Sequence, residues 1–275
     1  MFKRKIFSVL IVLVLVLFIG GVLLPQSAVL AQAPRGNLSW APRYMYGTDD
    51  NIVYTHYPEA VSGGWEALPA DTRETILGQL RRAEYRPTSL STTYPGSYGA
   101  LNRAHALSLT FDADGVHVLP AQHDGDDSVP AWDWALRLIG YGYCEAVEAA
   151  LPAKPTVSGN RVEYQRGDLS EWYLNDERGL EQGFILARPP VAEAGNTLPL
   201  RIVMAINTSL TPQLTDDGHT LLFHDAQGRV VLNYSKLHAY DADGVHLPTR
   251  MVLADDVADT MEHTLYLTVD DCGAT

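Results

Sequence analysis

Glu163 and Glu171 lie on either side of a short turn, beside Trp172 and Tyr173. Two carboxylates next to aromatic rings are what a glycoside-cleaving site uses: one acid protonates the leaving group while the other attacks or stabilises charge. In a chain with 33 acidic residues such a pair is easily found. The competing reading is that the rings pack a β layer while the acids face water. Asp112-Ala113-Asp114-Gly115 and Asp241-Ala242-Asp243-Gly244 open like calcium loops. A full loop needs more oxygen ligands at fixed offsets, and Val116-His117 and Val245-His246 stand there instead. Both strings therefore read as tight turns, where Asp and Gly serve by side-chain bonding and positive φ. Asp124-Gly125-Asp126-Asp127 is denser in charge and reads as a solvated loop.

The nine histidines include no pair at metal-binding spacing, and His117, His224 and His246 fall on strand segments. There is no GxSxG elbow and no phosphate-cradling glycine loop. Arg166-Gly167-Asp168 spells an integrin tripeptide, but it sits where a hairpin turn is expected and reads as a turn. The sequence thus nominates no catalytic, cofactor-binding or metal-ligating residue, and the expected chemistry is non-enzymatic.

The elements that would position these residues are mostly strands. Asp71 can cap one helix, with Glu74 completing a capping box and Ile76, Leu77, Leu80 and Tyr85 forming an apolar stripe. Arg81 and Arg82 suit its last turn, and Pro87 closes it. Further on, residues 106–111 alternate with period two, turn through Asp112–Gly115 and return through 116–119, a hairpin pattern. Strands are also expected over 132–143, 161–164, 171–174, 182–187, 200–206, 220–224, 230–234, 250–253 and 264–269, with Asp-Gly and Gln-Gly turns recurring between them. The expected fold is mainly β, with antiparallel layered sheets of β-sandwich type and one short helix near residues 70–85. The absence of βαβ alternation argues against a parallel α/β fold. The hexapeptide DADGVH occurs at 112–117 and 241–246, and convergence on one turn is favoured over duplication because the flanking strands differ.

Composition sets the outer limits. Hydrophobic residues make up 46% and charged residues 19% of 275, which excludes a disordered chain. A formal charge of −13 argues against nucleic acid as a partner. Lys3, Arg4 and Lys5 precede an apolar run from Ile6 to Leu24, followed by Pro25-Gln26-Ser27 and the small-residue pattern ending at Ala31. This is the layout of a secretory signal over residues 1–31, with an uncleaved membrane anchor as the rival reading. The chain is expected outside the cytoplasm, touching a membrane only through that segment if it is uncleaved. Residues 32–67 read as an extended lead-in, and 68–275 as a β-rich module that divides into two β units at about 68–150 and 157–275. Cys144 and Cys272 would meet an oxidising compartment, as a bridge or as two separate thiols.

Four strings in order resemble a known arrangement: LNRAHALSLTFDADGVHVLP from Leu101, WALRLIGYGY from Trp134, RVEYQRGDLSEWYLNDERGLEQGFILARPP from Arg161 and VVLNYSKLHAYDADGVHLPTRMVL from Val230. Together they resemble the uncharacterised N-terminal module of large exported bacterial proteins that carry β-propeller repeats of the FG-GAP or SBBP type. The resemblance spans roughly Pro69 to Thr275. It implies an all-β head on a surface or secreted protein, with a structural, adhesive or display role and no catalytic residues. Its expected partners are downstream repeats of the same polypeptide, although this sequence stops at Thr275, or surface glycans. A carbohydrate-binding module is the alternative, suggested by 14 Tyr and 5 Trp in a β architecture. An acid-pair hydrolase is the remote one.

Overall fold

The computed structural model describes residues 15–18, 65, 68–90, 95–121, 129–143, 146–191, 198–254 and 261–272. Asp124–Asp127, Cys144 and most of residues 1–67 lie outside them. Contacts divide the chain into one unit of residues 1–21 with 79–275 and a second of residues 22–78.

The second unit contains the first turns of the only described helix, α1 (Ala70–Glu84). The helix begins one residue before Asp71, which therefore sits in the first turn, where a carboxylate complements the helix dipole. Leu77, expected on a buried stripe, is exposed. No described helix is long and apolar enough to cross a membrane.

The larger unit is built of strands. In chain order they are β1 (Leu15–Phe18), β2 (Thr88–Ser89), β3 (Tyr98–Asn102), β4 (Leu107–Phe111), β5 (Val116–Pro120), β6 (Trp134–Tyr143), β7 (Ala146–Ala149), β8 (Thr156–Ser158), β9 (Arg161–Arg166) and β10 (Leu169–Asp176). They continue with β11 (Gly179–Leu186), β12 (Leu200–Thr208), β13 (Thr211–Leu214), β14 (Thr220–His224), β15 (Val230–Ser235), β16 (Ala239–Tyr240), β17 (His246–Leu247), β18 (Thr249–Leu253) and β19 (Glu262–Val269). One sheet runs β13-β14-β15-β1-β11-β10-β9-β8 and the other β18-β19-β12-β6-β5-β4-β3-β2, with β7 also on β6; β16 and β17 pair separately. The described pairings are antiparallel, as the mainly β expectation requires. The second sheet takes β12, β18 and β19 from the later part of the chain, so residues 68–150 and 157–275 do not form separate sheets.

Alternation explains how the sheets face each other. In β4, Leu107, Leu109 and Phe111 are buried while Ser108 and Thr110 are partly exposed. In β9, Val162, Tyr164 and Arg166 take the inner positions. The inner faces interlock through Phe111 against Tyr173 at 5.5 Å and Trp134 against Phe223 at 5.8 Å. The Tyr164 hydroxyl also donates to the Gly115 carbonyl at 2.9 Å. Trp132, just before β6, and Trp134 within it are buried in the core, and Trp172 is buried on the outer side of β10.

A β-bulge between Val203 and Met204 in the β12–β6 ladder shifts the later part of β6 by one residue. Tyr141 and Tyr143 then face the core beside Ile202 and Leu200, and Gly140 and Gly142 fall opposite β7. A Cβ on Gly140 would run into the Glu148 carbonyl, and one on Gly142 into that of Ala146.

Several short strands had no alternation to announce them: β2, β3, β7, β8, β13, β16 and β17. The largest departure is β1. It lies within the apolar run from Ile6 to Leu24 that reads as a leader in the sequence, yet it occupies the middle of the eight-stranded sheet, with β11 on one side and β15 on the other. A run of Leu, Val and Phe has the strand propensity of a central strand as well as the composition of a leader.

Candidate functional site

Among the described residues, a buried polar network on the inner face of the eight-stranded sheet gathers the most hydrogen-bonding side chains. The turn joining β9 and β10 contains only Gly167 and Asp168, with Gly167 at φ 74°, and it brings Arg166 back opposite Leu169. Arg166 is therefore a strand residue, and only Gly167 and Asp168 of the Arg166-Gly167-Asp168 string form the turn. It is 5% exposed, and its Nε donates to Glu171 Oε2 at 3.0 Å. Its Nη1 donates to the Leu151 carbonyl at 2.8 Å, and its guanidinium lies 5.0 Å from the Tyr164 ring. Glu171 Oε1 accepts from the Tyr173 hydroxyl at 2.7 Å and from Gln182 Nε2 at 3.1 Å. The Tyr234 hydroxyl on β15 donates to Gln182 Oε1 at 2.5 Å.

Both oxygens of Glu171 are thus occupied by protein donors, and the carboxylate itself is fully buried. Burial pushes the phenols of Tyr173 and Tyr234 well above their ordinary value, and the Glu171 charge adds to the effect. Burial likewise raises Tyr164. The groups stay neutral donors and hold β9, β10, β11 and β15 together. Both partners of the Arg166–Glu171 charge pair are therefore committed to protein groups.

The nominated acid pair does not assemble. Glu163 pairs with Trp172 on the outer side of β9 and β10, and Glu171 pairs with Tyr164 on the inner side. Glu163 bonds Arg161 Nε at 3.2 Å near solvent, with the Arg161 guanidinium 4.3 Å from the Trp172 ring. The two carboxylates occupy opposite faces of one sheet and cannot flank one bond.

The Asp-rich strings are turns. Asp112 Oδ1 accepts from the amides of Asp114 and Gly115, and Asp241 Oδ1 from those of Asp243 and Val245. The same hexapeptide closes in two registers. Asp112 N bonds Gly115 O, so Val116 enters β5; Asp241 N bonds Val245 O, so Val245 stays in the loop and is exposed. Among the described residues no three His, Cys, Asp or Glu side chains are grouped to hold a metal. His117 approaches Asp112 Oδ2 at 3.3 Å. His224 Nδ1 faces the Gly228 carbonyl at 3.3 Å, and His246 packs against the rings of His238 and Tyr240. Cys272 is exposed, and Cys144, with which the sequence left a bridge open, lies outside the described residues.

A concavity that the sequence did not announce lies on the outer face of the nine-stranded sheet, with a volume of about 220 Å³. Its floor is Ala135 on β6 and Ala205 on β12. The rim carries His117, Arg137, Asn207 and Glu262. The ladder puts His117, Ala135, Asn207 and Glu262 in one cross-strand row. Two small residues at outward positions of adjacent central strands are the signal that could have located it. Mixed cationic, amide and carboxylate groups suit a small polar molecule.

No protein-family model, curated protein or solved structure matches the chain.

Proposed function

We propose that this protein is an exported, non-enzymatic β-rich module, the head of a cell-surface or secreted repeat protein with a structural, adhesive or display role. The observation that carries the reading is the internal commitment of its acid chemistry. The buried Glu171 spends both oxygens on Arg166, Tyr173 and Gln182, while Glu163 lies on the opposite face. Support for export comes from the basic start, the apolar run and the small-residue pattern before residue 32. The four strings that resemble propeller-associated heads support the display role.

The glycan-binding alternative drew on the aromatic count. Most of those described rings line the core, while Trp65 and Tyr240 are exposed at 44% and 37%. A glycan array with the exported chain addresses it directly.

The main test is protease treatment of intact cells that express the protein, followed by immunodetection of residues 198–254. Loss of signal without lysis is the expected result. A signal that survives until the cells are broken overturns the surface reading. Turnover on a glycosidase or esterase panel that Glu171→Gln abolishes overturns the non-enzymatic one.

A further inference from the structure

Two side chains of opposite charge line the concavity on the outer face of the nine-stranded sheet without engaging each other. Arg137 stands on β6, two residues after Ala135, and Asp114 comes from the turn between β4 and β5. Both are exposed, and neither side chain makes a hydrogen bond or ion pair with a described residue. The Asn207 side chain on β12, also exposed, has no polar partner among the described residues either. The neighbours of Arg137 explain its isolation. Its ladder partner on β12 is Ala205, and on the other flank the backbone of Gly115 comes so close that a Cβ there would lie 3.3 Å from the Arg137 Cα. Small residues on both sides offer the guanidinium no acceptor, and they leave the space that forms the concavity.

The dimensions and the lining restrict what can occupy it. The row from His117 to Glu262 crosses four adjacent strands, about 14 Å at the usual strand spacing. A volume of about 220 Å³ lies below the roughly 300–1,000 Å³ of sites for drug-sized ligands, so the occupant is one small molecule. Apart from the His117 imidazole no aromatic ring lines the space, and the stacking surface that a sugar ring uses is missing. A phosphate would bring a double negative charge between Asp114 and Glu262, against a single guanidinium. A carboxylate carries one charge and fits the fork of Arg137 with two parallel hydrogen bonds, and the Asn207 amide adds a further donor. A cationic group of the same molecule then meets Asp114.

We propose that this concavity binds a free α-amino acid, with its carboxylate on Arg137 and Asn207 and its ammonium on Asp114. The floor of Ala135 and Ala205 receives the amino-acid side chain. A single exposed ion pair is worth little in water. Two poles engaged by one ligand reinforce each other, because the second contact forms within a molecule already held by the first. The module gains a solute-binding activity that goes beyond the display role.

Isothermal titration calorimetry on the full-length chain, with each of the twenty standard amino acids in turn, tests the proposal. The expected result is one site per chain for at least one of them. Acetate and ethylammonium, which carry one pole each, should bind at least about tenfold more weakly. Arg137→Met and Asp114→Asn should each lower affinity by about tenfold or more, the loss expected when a hydrogen bond to a charged group is removed. Ala135→Leu fills the floor from a half-exposed position and should abolish binding. All three substitutions are at positions open to solvent, so Tm should stay within about 2 °C of wild type, which separates a lost site from a lost fold. No binding heat from any amino acid at millimolar concentration overturns the proposal. Binding that survives both Arg137→Met and Ala135→Leu overturns it too, by placing the site elsewhere. Equal affinity for acetate overturns the role of Asp114. Glucuronate is titrated alongside, and its binding where no amino acid binds replaces the proposal with an acidic-sugar site.

Discussion

Glu171→Gln is the sharpest perturbation of the buried network, because it removes one charge and almost no volume. The amide can keep its oxygen toward Tyr173 and Gln182, but its NH2 then meets the Arg166 Nε–H, donor against donor, where a carboxylate oxygen stood at 3.0 Å. Turned the other way, the amide leaves Tyr173 and Gln182 without their acceptor. Either arrangement leaves the guanidinium of Arg166 uncompensated at 5% exposure. Breaking a buried pair from one side costs about 3–5 kcal/mol. Arg166 keeps the Leu151 carbonyl and the Tyr164 ring, which places the expectation at the lower end of that range. For a domain of this size such a loss lowers Tm by roughly 6–15 °C. Urea unfolding followed by tryptophan fluorescence measures it directly. Arg166→Met combined with Glu171→Leu removes both charges, and Tyr173, Gln182 and Tyr234 can still bond one another. The double variant should therefore be more stable than the sum of the single changes predicts by about 2 kcal/mol or more. A Glu171→Gln chain within about 0.5 kcal/mol of wild type, or strictly additive single changes, would refute the reasoning by showing that water reaches the pair.

Glu163→Gln should change stability by less than about 1 kcal/mol in the same urea assay, because its pair with Arg161 is partly solvated; a larger loss would mean the outer face is covered. Gly115→Ala should destabilise more than Gly228→Ala. Both glycines have positive φ, but a Cβ at 115 would meet the Leu136 carbonyl, whereas none lies within 4 Å at 228; equal Tm losses would contradict this. Alkaline titration should show a cooperative transition. The phenols of Tyr164, Tyr173 and Tyr234 are raised above 10.0 in the folded chain by burial, so their contribution to stability is complete below that pH and is lost as pH rises beyond it. Phenolate absorbance from these residues should therefore appear together with loss of the β-sheet circular dichroism signal, and its full appearance in a chain that keeps that signal would refute the prediction.

What the sequence determined by itself was local. Wherever one strand face is buried and the other wet, period-two alternation reports both the strand and its orientation, as at Leu107–Phe111 and Thr220–His224. Asp-Gly strings mark turns because side-chain bonding and positive φ act within four or five residues. The mainly antiparallel β fold with one helix near 70–85 follows from signals of that range. What needed the tertiary structure was every choice between partners distant in sequence. The bulge at Val203/Met204 places Tyr141 and Tyr143 on the core side, and nothing local to β6 requires it. The two DADGVH turns close in different registers because their flanking strands differ in pairing. Glu171 reads as a surface acid until Arg166, Tyr173 and Gln182 are seen around it, since a buried carboxylate is stable only through donors supplied by neighbouring strands. The apolar run at Leu15–Phe18 has the same composition as a leader and as a central strand, and the pairing needs of β11 and β15 are what place it in the sheet.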